Sequence, residues 1–312
     1  MKAIIYQKKG SPNQLQLQEL EKPVPGAQEV LVKIHAVSPN AADYRAMQLG
    51  MIPKGKVFGS AIAGVVESAG HKIEHFKPGD CVIGDLSGVG FGGFAEYVLA
   101  SEKALVHKPE KLTFEEAATL PVAATTALKA LRDKGQLQPG QSVLLVGSGG
   151  GVGTFAVQLA KYYGAELTAV CSTQNLEKAS SLGADFVIDY TQEDFTQNGK
   201  RYDLIIAING NYSLLKFRKA LNPKGTYVMV GGSLPQIFKS LLFGWLLSVG
   251  SKKMKSLSAK SNQQDLAFLA QLMEKQQIQA VIDHRYPFEK TAEAMSYLAQ
   301  GHARGKTVIT VL

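Results

Sequence analysis

The chain has 312 residues, of which 45% are hydrophobic and 19% charged, an ordinary globular composition with enough length for two domains and sizeable cores. A formal net charge of +8 admits nucleic acid, an anionic membrane surface or an acidic cofactor; the lysines are spread along the chain except at Lys252, Lys253 and Lys255, and a solvated face accounts for them. Two cysteines without C-x-x-C spacing, Cys81 and Cys171, exclude a disulfide framework and a cysteine-rich zinc lobe, and suit a reducing cytoplasm.

Residues 2–6 already read as a strand, so no N-terminal targeting signal is expected. Up to about residue 116 the pattern is short strands broken by Gly and Pro, at 2–6, 29–36, 61–69, 81–83 and 93–100. Alternation such as Leu31, Val32, Lys33, Ile34, His35, with turns at Pro25-Gly26 and Pro78-Gly79, predicts a β-barrel-like domain. Within it His71, Glu74 and His75 match the H-x-x-E-H pattern of some zinc peptidases. That chemistry needs both imidazoles on one helical face, and the flanking Gly70 and Pro78 indicate a surface turn instead. Thr113 and Glu116 form a capping box for a helix that Pro121 interrupts.

Beyond residue 120 strands and helices alternate. Strands are expected at 142–146, 166–171, 186–188, 204–208 and 227–230, with helices between them at 176–182 and 213–221. This βαβ rhythm predicts an α/β fold with a doubly wound parallel sheet. Another helix is expected at 263–276, and a last strand at 306–312 returns to the first domain. The most apolar stretch, 237–249, is too short to span a bilayer, and no transmembrane segment is expected. It fits a buried or interface helix, a wall for a lipophilic substrate, or a membrane-surface contact aided by the following lysines. Without a helix-turn-helix, zinc finger or aromatic RNA-binding box, no nucleic-acid partner is expected.

The informative stretch is 142–161. An apolar strand runs straight into Gly147, Ser148, Gly149, Gly150, Gly151, Val152 and Gly153, and a helix follows with no spacer. Backbone amides at a helix N-terminus favour a diphosphate, and glycines allow the tight turn and close approach. Ser148 stands where the first glycine of G-x-G-x-x-G would fall, so the turn is a variant of that fingerprint. No lysine follows in the Walker position, which argues against a nucleoside triphosphate.

The second strand of this unit ends at Cys171, Ser172, Thr173, Gln174 and Asn175, where NAD-specific folds place Asp or Glu on the ribose 2′-hydroxyl. This segment has no carboxylate. Ser172, Thr173 and Asn175 offer neutral hydrogen bonds and Lys178 adds positive charge, so NADPH is the expected cofactor; the same polar residues also suit the cap of the next helix. Arg304 and Lys306 are further candidates for the cofactor phosphates, a surface role being the alternative.

Taken together, these residues resemble the medium-chain dehydrogenase/reductase superfamily, in its zinc-lacking quinone oxidoreductase branch of zeta-crystallin-like and enone reductases. The landmarks are Asn40-Ala41-Ala42-Asp43, Gly59 to Val66, Phe76 to Asp80, Gly92 to Tyr97, Pro121 to Ala127, the glycine turn, and Gly301 to Lys306. The resemblance implies a Rossmann NADPH-binding domain (118–278) inserted into a GroES-like catalytic domain (1–117, resuming over 279–312), with the active site in the cleft between them. Zinc alcohol dehydrogenases of the superfamily carry Cys in place of Asn40 and His-Glu in place of Ser60 and Ala61, so no metal is expected here. The resemblance further places Thr126, the loop through Asn209 and Gly210, and Gly231 around the nicotinamide, and a tyrosine like Tyr190 on the 2′-phosphate.

The implied activity is reduction of a small electrophile, a quinone or an α,β-unsaturated carbonyl, with the developing oxyanion held by hydrogen bonds. Asn40 is the candidate donor, Tyr44 a candidate proton donor and Asp43 a structural partner. Asn40 also suits a strand-end turn, Tyr44 also suits packing, and solvent is another proton source. Alternatives are an alcohol dehydrogenase and a non-catalytic NADPH-binding protein. Similar proteins are often homodimers through Rossmann edge strands, and some are monomers.

Overall fold

A computed structural model describes residues 1–6, 11–51, 55–209, 212–232, 236, 246–248 and 250–312. The chain forms two compact units, Met1–Thr125 together with Lys260–Leu312, and Thr126–Ala259. The expected boundaries lay at 117/118 and 278/279. The helix Gln263–Glu274 thereby falls in the first unit, where Gln263 Nε2 donates to Leu105 O at 2.8 Å.

In chain order the strands of the first unit are β1 (Lys2–Tyr6), β2 (Leu15–Glu19), β3 (Glu29–Ser38), β4 (Ala61–Ala69), β5 (Cys81–Asp85), β6 (Tyr97–Ser101) and β7 (Leu105–His107). Those of the second are β8 (Ser142–Val146), β9 (Glu166–Cys171), β10 (Phe186–Asp189), β11 (Tyr202–Ala207), β12 (Leu221–Met229) and β13 (Lys253–Ser256). The chain then adds β14 (Ile282–Pro287) and β15 (Lys306–Thr310) to the first.

The sheet of the first unit is ordered β14-β15-β3-β4-β5-β7, with β6 also on β3. Alternation along β3 sends Val30, Val32 and Ile34 into a core with Met47, Phe58, Ile62 and Phe94. Gly64 lets β4 run close to β3, since a Cβ there would lie 2.2 Å from Lys33 O. The strand expected over 93–100 starts later, because Gly93 and Phe94 donate their N–H groups to Gly59 O and Phe58 O. Helix Ala41–Leu49, unforeseen in the sequence, begins at Asn40 and stops where Gly50 turns left-handed, φ +65°. The capping box forms as expected, Glu116 N donating to Thr113 Oγ1 and Thr113 N to Glu116 Oε2. The helical path continues past Pro121, however, in a π-helical turn, Leu120–Ala124, whose wider ring accommodates a residue without an N–H.

In the second unit the order β10-β9-β8-β11-β12-β13 is parallel throughout, as a doubly wound sheet requires. Val143 to Val146 are buried because β8 sits centrally with cover on both faces. The expected helix over 213–221 is shorter, Leu214–Lys219, and Leu221 already opens β12. Strand β13 escaped sequence reading because Lys253, Met254, Lys255 and Ser256 look like a charge run. They form an edge strand, where lysines protect unpaired backbone. Much of 237–249 lies outside the described residues.

Candidate functional site

In the second unit the strand-to-helix turn is built by backbone exclusion. Gly147 takes φ +91°, and a Cβ there would lie 2.9 Å from Asn209 N. A Cβ on Gly153 would come within 2.3 Å of Gly147 O, and one on Gly149 within 2.7 Å of the Asn175 carboxamide. Gly150 is the N-cap of helix Gly151–Tyr162 and brings no side-chain acceptor. The first-turn amides of Gly151, Val152 and Gly153 therefore face outward from an uncapped positive end. Ser148 departs from the expected cofactor role: buried, it donates both N–H and Oγ to Val170 O at 3.1 Å. Its hydroxyl ties the turn to β9, and the neighbouring amides are left for an anion. The cradle fits a dinucleotide diphosphate on steric and electrostatic grounds.

At the end of β9 the expected polar residues form a chain. Lys178 Nζ donates to Asn175 Oδ1 at 3.0 Å, and Asn175 Nδ2 donates to Ser172 Oγ at 3.0 Å. Thr173 turns away, its hydroxyl donating to Asp189. Asp189 is a carboxylate that inspection of residues 172–175 missed: β10 pairs in register with β9 and sets Asp189 beside Cys171. It also accepts from Thr191 N at 2.9 Å and Thr191 Oγ1 at 2.7 Å. These bonds, led by that from Thr173, hold its carboxyl below the usual carboxylate range. Tyr190, next in sequence, is exposed.

After β11 and β12 the backbone closes together. Val230 N donates to Ala207 O at 2.8 Å, and a Cβ on Gly231 would meet Ile208 O at 2.7 Å. Asn209 is exposed and Thr126 half-buried. Gly210 lies outside the described residues.

In the first unit Asn40, Asp43, Ser60 and Lys306 converge in a cluster, all buried. Asn40 N donates to Asp43 Oδ2 at 2.7 Å, fixing its backbone. Lys306 Nζ donates to Asn40 Oδ1 at 2.6 Å and to Pro39 O at 3.3 Å. Asn40 Nδ2 donates to Ser38 O at 2.8 Å and faces Ser60 Oγ at 3.5 Å. The amide orientation follows from chemistry, since an ammonium only donates and a carbonyl only accepts. Burial raises the Asp43 carboxyl to about 6, against the opposing pull of Ser60, the Asn40 amide and Lys306. Burial likewise lowers Lys306 to about 8, with Asp43 opposing. Asp43 Oδ1 has no hydrogen-bonding partner.

Lys306 thus corrects the expectation of a phosphate contact: its ammonium is spent inside the first unit. Arg304 is exposed, its N–H donating to Asp283 Oδ2. Tyr44 is half-buried and its hydroxyl accepts from Gln48 Nε2 at 2.8 Å. Ser60 was missed as a member of the cluster, although its place opposite Asn40 follows from the zinc-ligand positions of the superfamily. A divalent cation does not fit here. The donors are one carboxylate, Asp43, with a neutral carboxamide and a hydroxyl; none is a thiolate or imidazole, and an ammonium already occupies Asn40 Oδ1. Among the described residues no group of three His, Cys, Asp or Glu is arranged to hold a metal. His71 and His75 sit in an exposed turn and at a bend.

A parallel sheet in the order 3-2-1-4-5-6 with an uncapped glycine turn, in one chain with a unit of mainly antiparallel strands, defines a dehydrogenase-type oxidoreductase that takes a nicotinamide cofactor. The family model for the alcohol dehydrogenase GroES-like domain matches residues 26–110, and that for zinc-binding dehydrogenases matches 182–309. The chain is 34% identical over 306 residues to a chloroplastic quinone oxidoreductase, QR1, of Triphysaria versicolor, covering 93% of this chain and 92% of that protein. It is 32% identical to a chloroplastic NADPH-dependent alkenal/one oxidoreductase of Arabidopsis thaliana, covering 99% and 79%. The solved quinone oxidoreductase of Coxiella burnetii superposes with TM-score 0.91 at 29% identity, covering 100% of this chain and 99% of that one. The chain belongs to the medium-chain dehydrogenase/reductase superfamily, in its quinone oxidoreductase branch, and is an oxidoreductase.

Proposed function

We propose that the protein is an NADPH-dependent, metal-independent reductase of quinones or α,β-unsaturated carbonyl compounds. The observation that carries this reading is the Asn40 carboxamide, buried and held at its oxygen by Lys306 and at its nitrogen by Ser38 O, with Asp43 holding the backbone N–H. A neutral N–H donor of that kind suits an acceptor that is already electrophilic, where negative charge grows on an oxygen during reduction. It does not suit ionisation of a simple alcohol. Bound NADPH would supply the hydride, and the chain's own residues hold the dinucleotide and stabilise the developing enolate or quinol oxygen. The diphosphate would rest on the amides of Gly151, Val152 and Gly153, the 2′-phosphate near Ser172, Lys178 and Tyr190, and the nicotinamide near Thr126, Asn209 and Gly231. Tyr44 or solvent would return the proton.

Lys178 supports NADPH over NADH. The NADPH-dependent relative from Arabidopsis points the same way. Substituting Lys178→Ala should raise KM for NADPH about tenfold, the loss of one charge-assisted contact. KM for NADH should stay within about twofold, and an equal rise for both cofactors would reject the assignment. Among the described residues no helix is long and apolar enough to cross a membrane. A cytoplasmic setting is proposed from the two thiols, and a homodimer through an edge strand of the parallel sheet.

The test is oxidation of NADPH and NADH by metal-stripped protein against ortho- and para-quinones, enones, enals and simple aldehydes. Turnover of quinones or enones with NADPH preferred, unaffected by chelator, is the expected result. Activity confined to simple aldehydes and restored by zinc would replace this function with that of an alcohol dehydrogenase. Tight NADPH binding with no turnover would indicate a binding protein.

A further inference from the structure

Strand β15 pairs with β3 in antiparallel register, Ile309 opposite Val37 and Thr310 opposite Ala36. The same register carried three residues further sets Lys306 opposite Asn40, just past the end of β3. Lys306 is 4% exposed, and its ammonium touches one side-chain oxygen, Asn40 Oδ1 at 2.6 Å, and one backbone carbonyl, Pro39 O at 3.3 Å. A cation at the carbonyl end of a carboxamide does two things. It excludes the flipped rotamer, which would put N–H groups against N–H groups, and it draws electrons toward Oδ1, leaving the Nδ2 hydrogens more acidic. One of those hydrogens is committed to Ser38 O at 2.8 Å; the other faces Ser60 Oγ at 3.5 Å, the outer limit of a hydrogen bond.

We propose that Lys306 is a positioning residue: it orients and polarises the Asn40 carboxamide so that its second N–H is presented to the oxygen of the substrate. The inference rests on the role given to Asn40 above. It replaces both roles expected of Lys306 from sequence, the cofactor-phosphate contact and the surface position. Asp43 balances the buried positive charge and holds the Asn40 backbone, so the two charges grip one asparagine from opposite sides. Among the described residues Asp43 is the one charged group whose field acts on Lys306.

The test compares wild type, Lys306→Met, and Lys306→Met with Asp43→Asn. The double variant removes both buried charges and leaves at position 43 an oxygen to accept the Asn40 N–H, so it carries the test if the single variant fails to fold. In wild type, the Asn40 side-chain amide signal in a ¹H–¹⁵N spectrum should titrate with a midpoint near pH 8, where Lys306 loses its proton. That titration should vanish in both variants. In turnover with an enone, kcat should fall roughly ten- to a hundredfold while KM for NADPH stays within about twofold. The double variant should regain thermal stability without regaining kcat. An Asn40 amide signal indifferent to Lys306, or a double variant with full kcat, would overturn the proposal by reducing Lys306 to charge balance. A rise in KM for NADPH at unchanged kcat would overturn it in favour of the phosphate contact. If wild type reduces none of the acceptors, the proposed function fails, while the amide titration still decides what Lys306 does to Asn40.

Discussion

Gly153→Ala should destabilise the second unit by about 3 kcal/mol, the upper range for overpacking, and abolish dinucleotide binding. The reason is steric and lies in the backbone. A Cβ at this position would sit 2.3 Å from Gly147 O and 2.6 Å from Ser148 C and O, and backbone atoms locked in a turn cannot swing aside as the end of a lysine would. Relief requires helix Gly151–Tyr162 to move away from β8, which carries the first-turn amides off the diphosphate. At about 2–4 °C per kcal/mol for a chain of this size the midpoint of thermal unfolding should fall by about 6–12 °C. Gly140 offers the control in the same unit. It also has a positive φ, +80°, but nothing lies within 4 Å of its would-be Cβ, so Gly140→Ala should cost about 1 kcal/mol, from the left-handed backbone alone. Equal effects of the two substitutions, or unchanged NADPH affinity in Gly153→Ala, would refute the close-approach account.

Asn40→Ala should lower kcat about a hundredfold with an enone acceptor, within the range for removing one oxyanion donor. It also strands the Lys306 ammonium, which loses its 2.6 Å acceptor, so some loss of stability should accompany it. Asn40→Asp separates the two consequences. A carboxylate keeps the bond to Lys306, but it sets an acceptor against Ser38 O, where Nδ2 donated at 2.8 Å, and it has no N–H to offer an oxyanion. Both variants should therefore be slow, and only the alanine variant leaves the ammonium without its acceptor. An aspartate variant with kcat within about twofold of wild type would remove Asn40 from the chemistry.

Much of the second unit was readable along the chain because its signals are local. The apolar run of β8, the glycines after it and the small residues of the next helix lie within twenty positions, and each restricts its neighbour through a turn that only glycine completes. In the first unit Leu31 to His35 alternate cleanly, and β3 forms with the expected face inward. The readings that shifted involve partners distant in sequence. Residues 253–256 are strand only because β12 lies alongside, and Leu221 leaves the helical pattern because β11 pairs with it. Pro121 halts a helix in isolation, but packing carried the helical path past it.

The same division holds for the site. From the amino-acid order alone follow the glycine turn and the polar end of β9, since each is a matter of residue type at a short, fixed spacing; the replacement of zinc ligands at Asn40, Ser60 and Ala61 followed from the resemblance to the superfamily. Tertiary structure alone decided that Ser148 points inward, that Asp189 stands beside Cys171 and takes the Thr173 hydroxyl, and that Lys306 reaches Asn40 across 266 positions. Those outcomes depend on strand register. A one-residue slip of β15 on β3 would send Lys306 to the opposite face of the sheet, and no local pattern in the chain states which register the packed core selects.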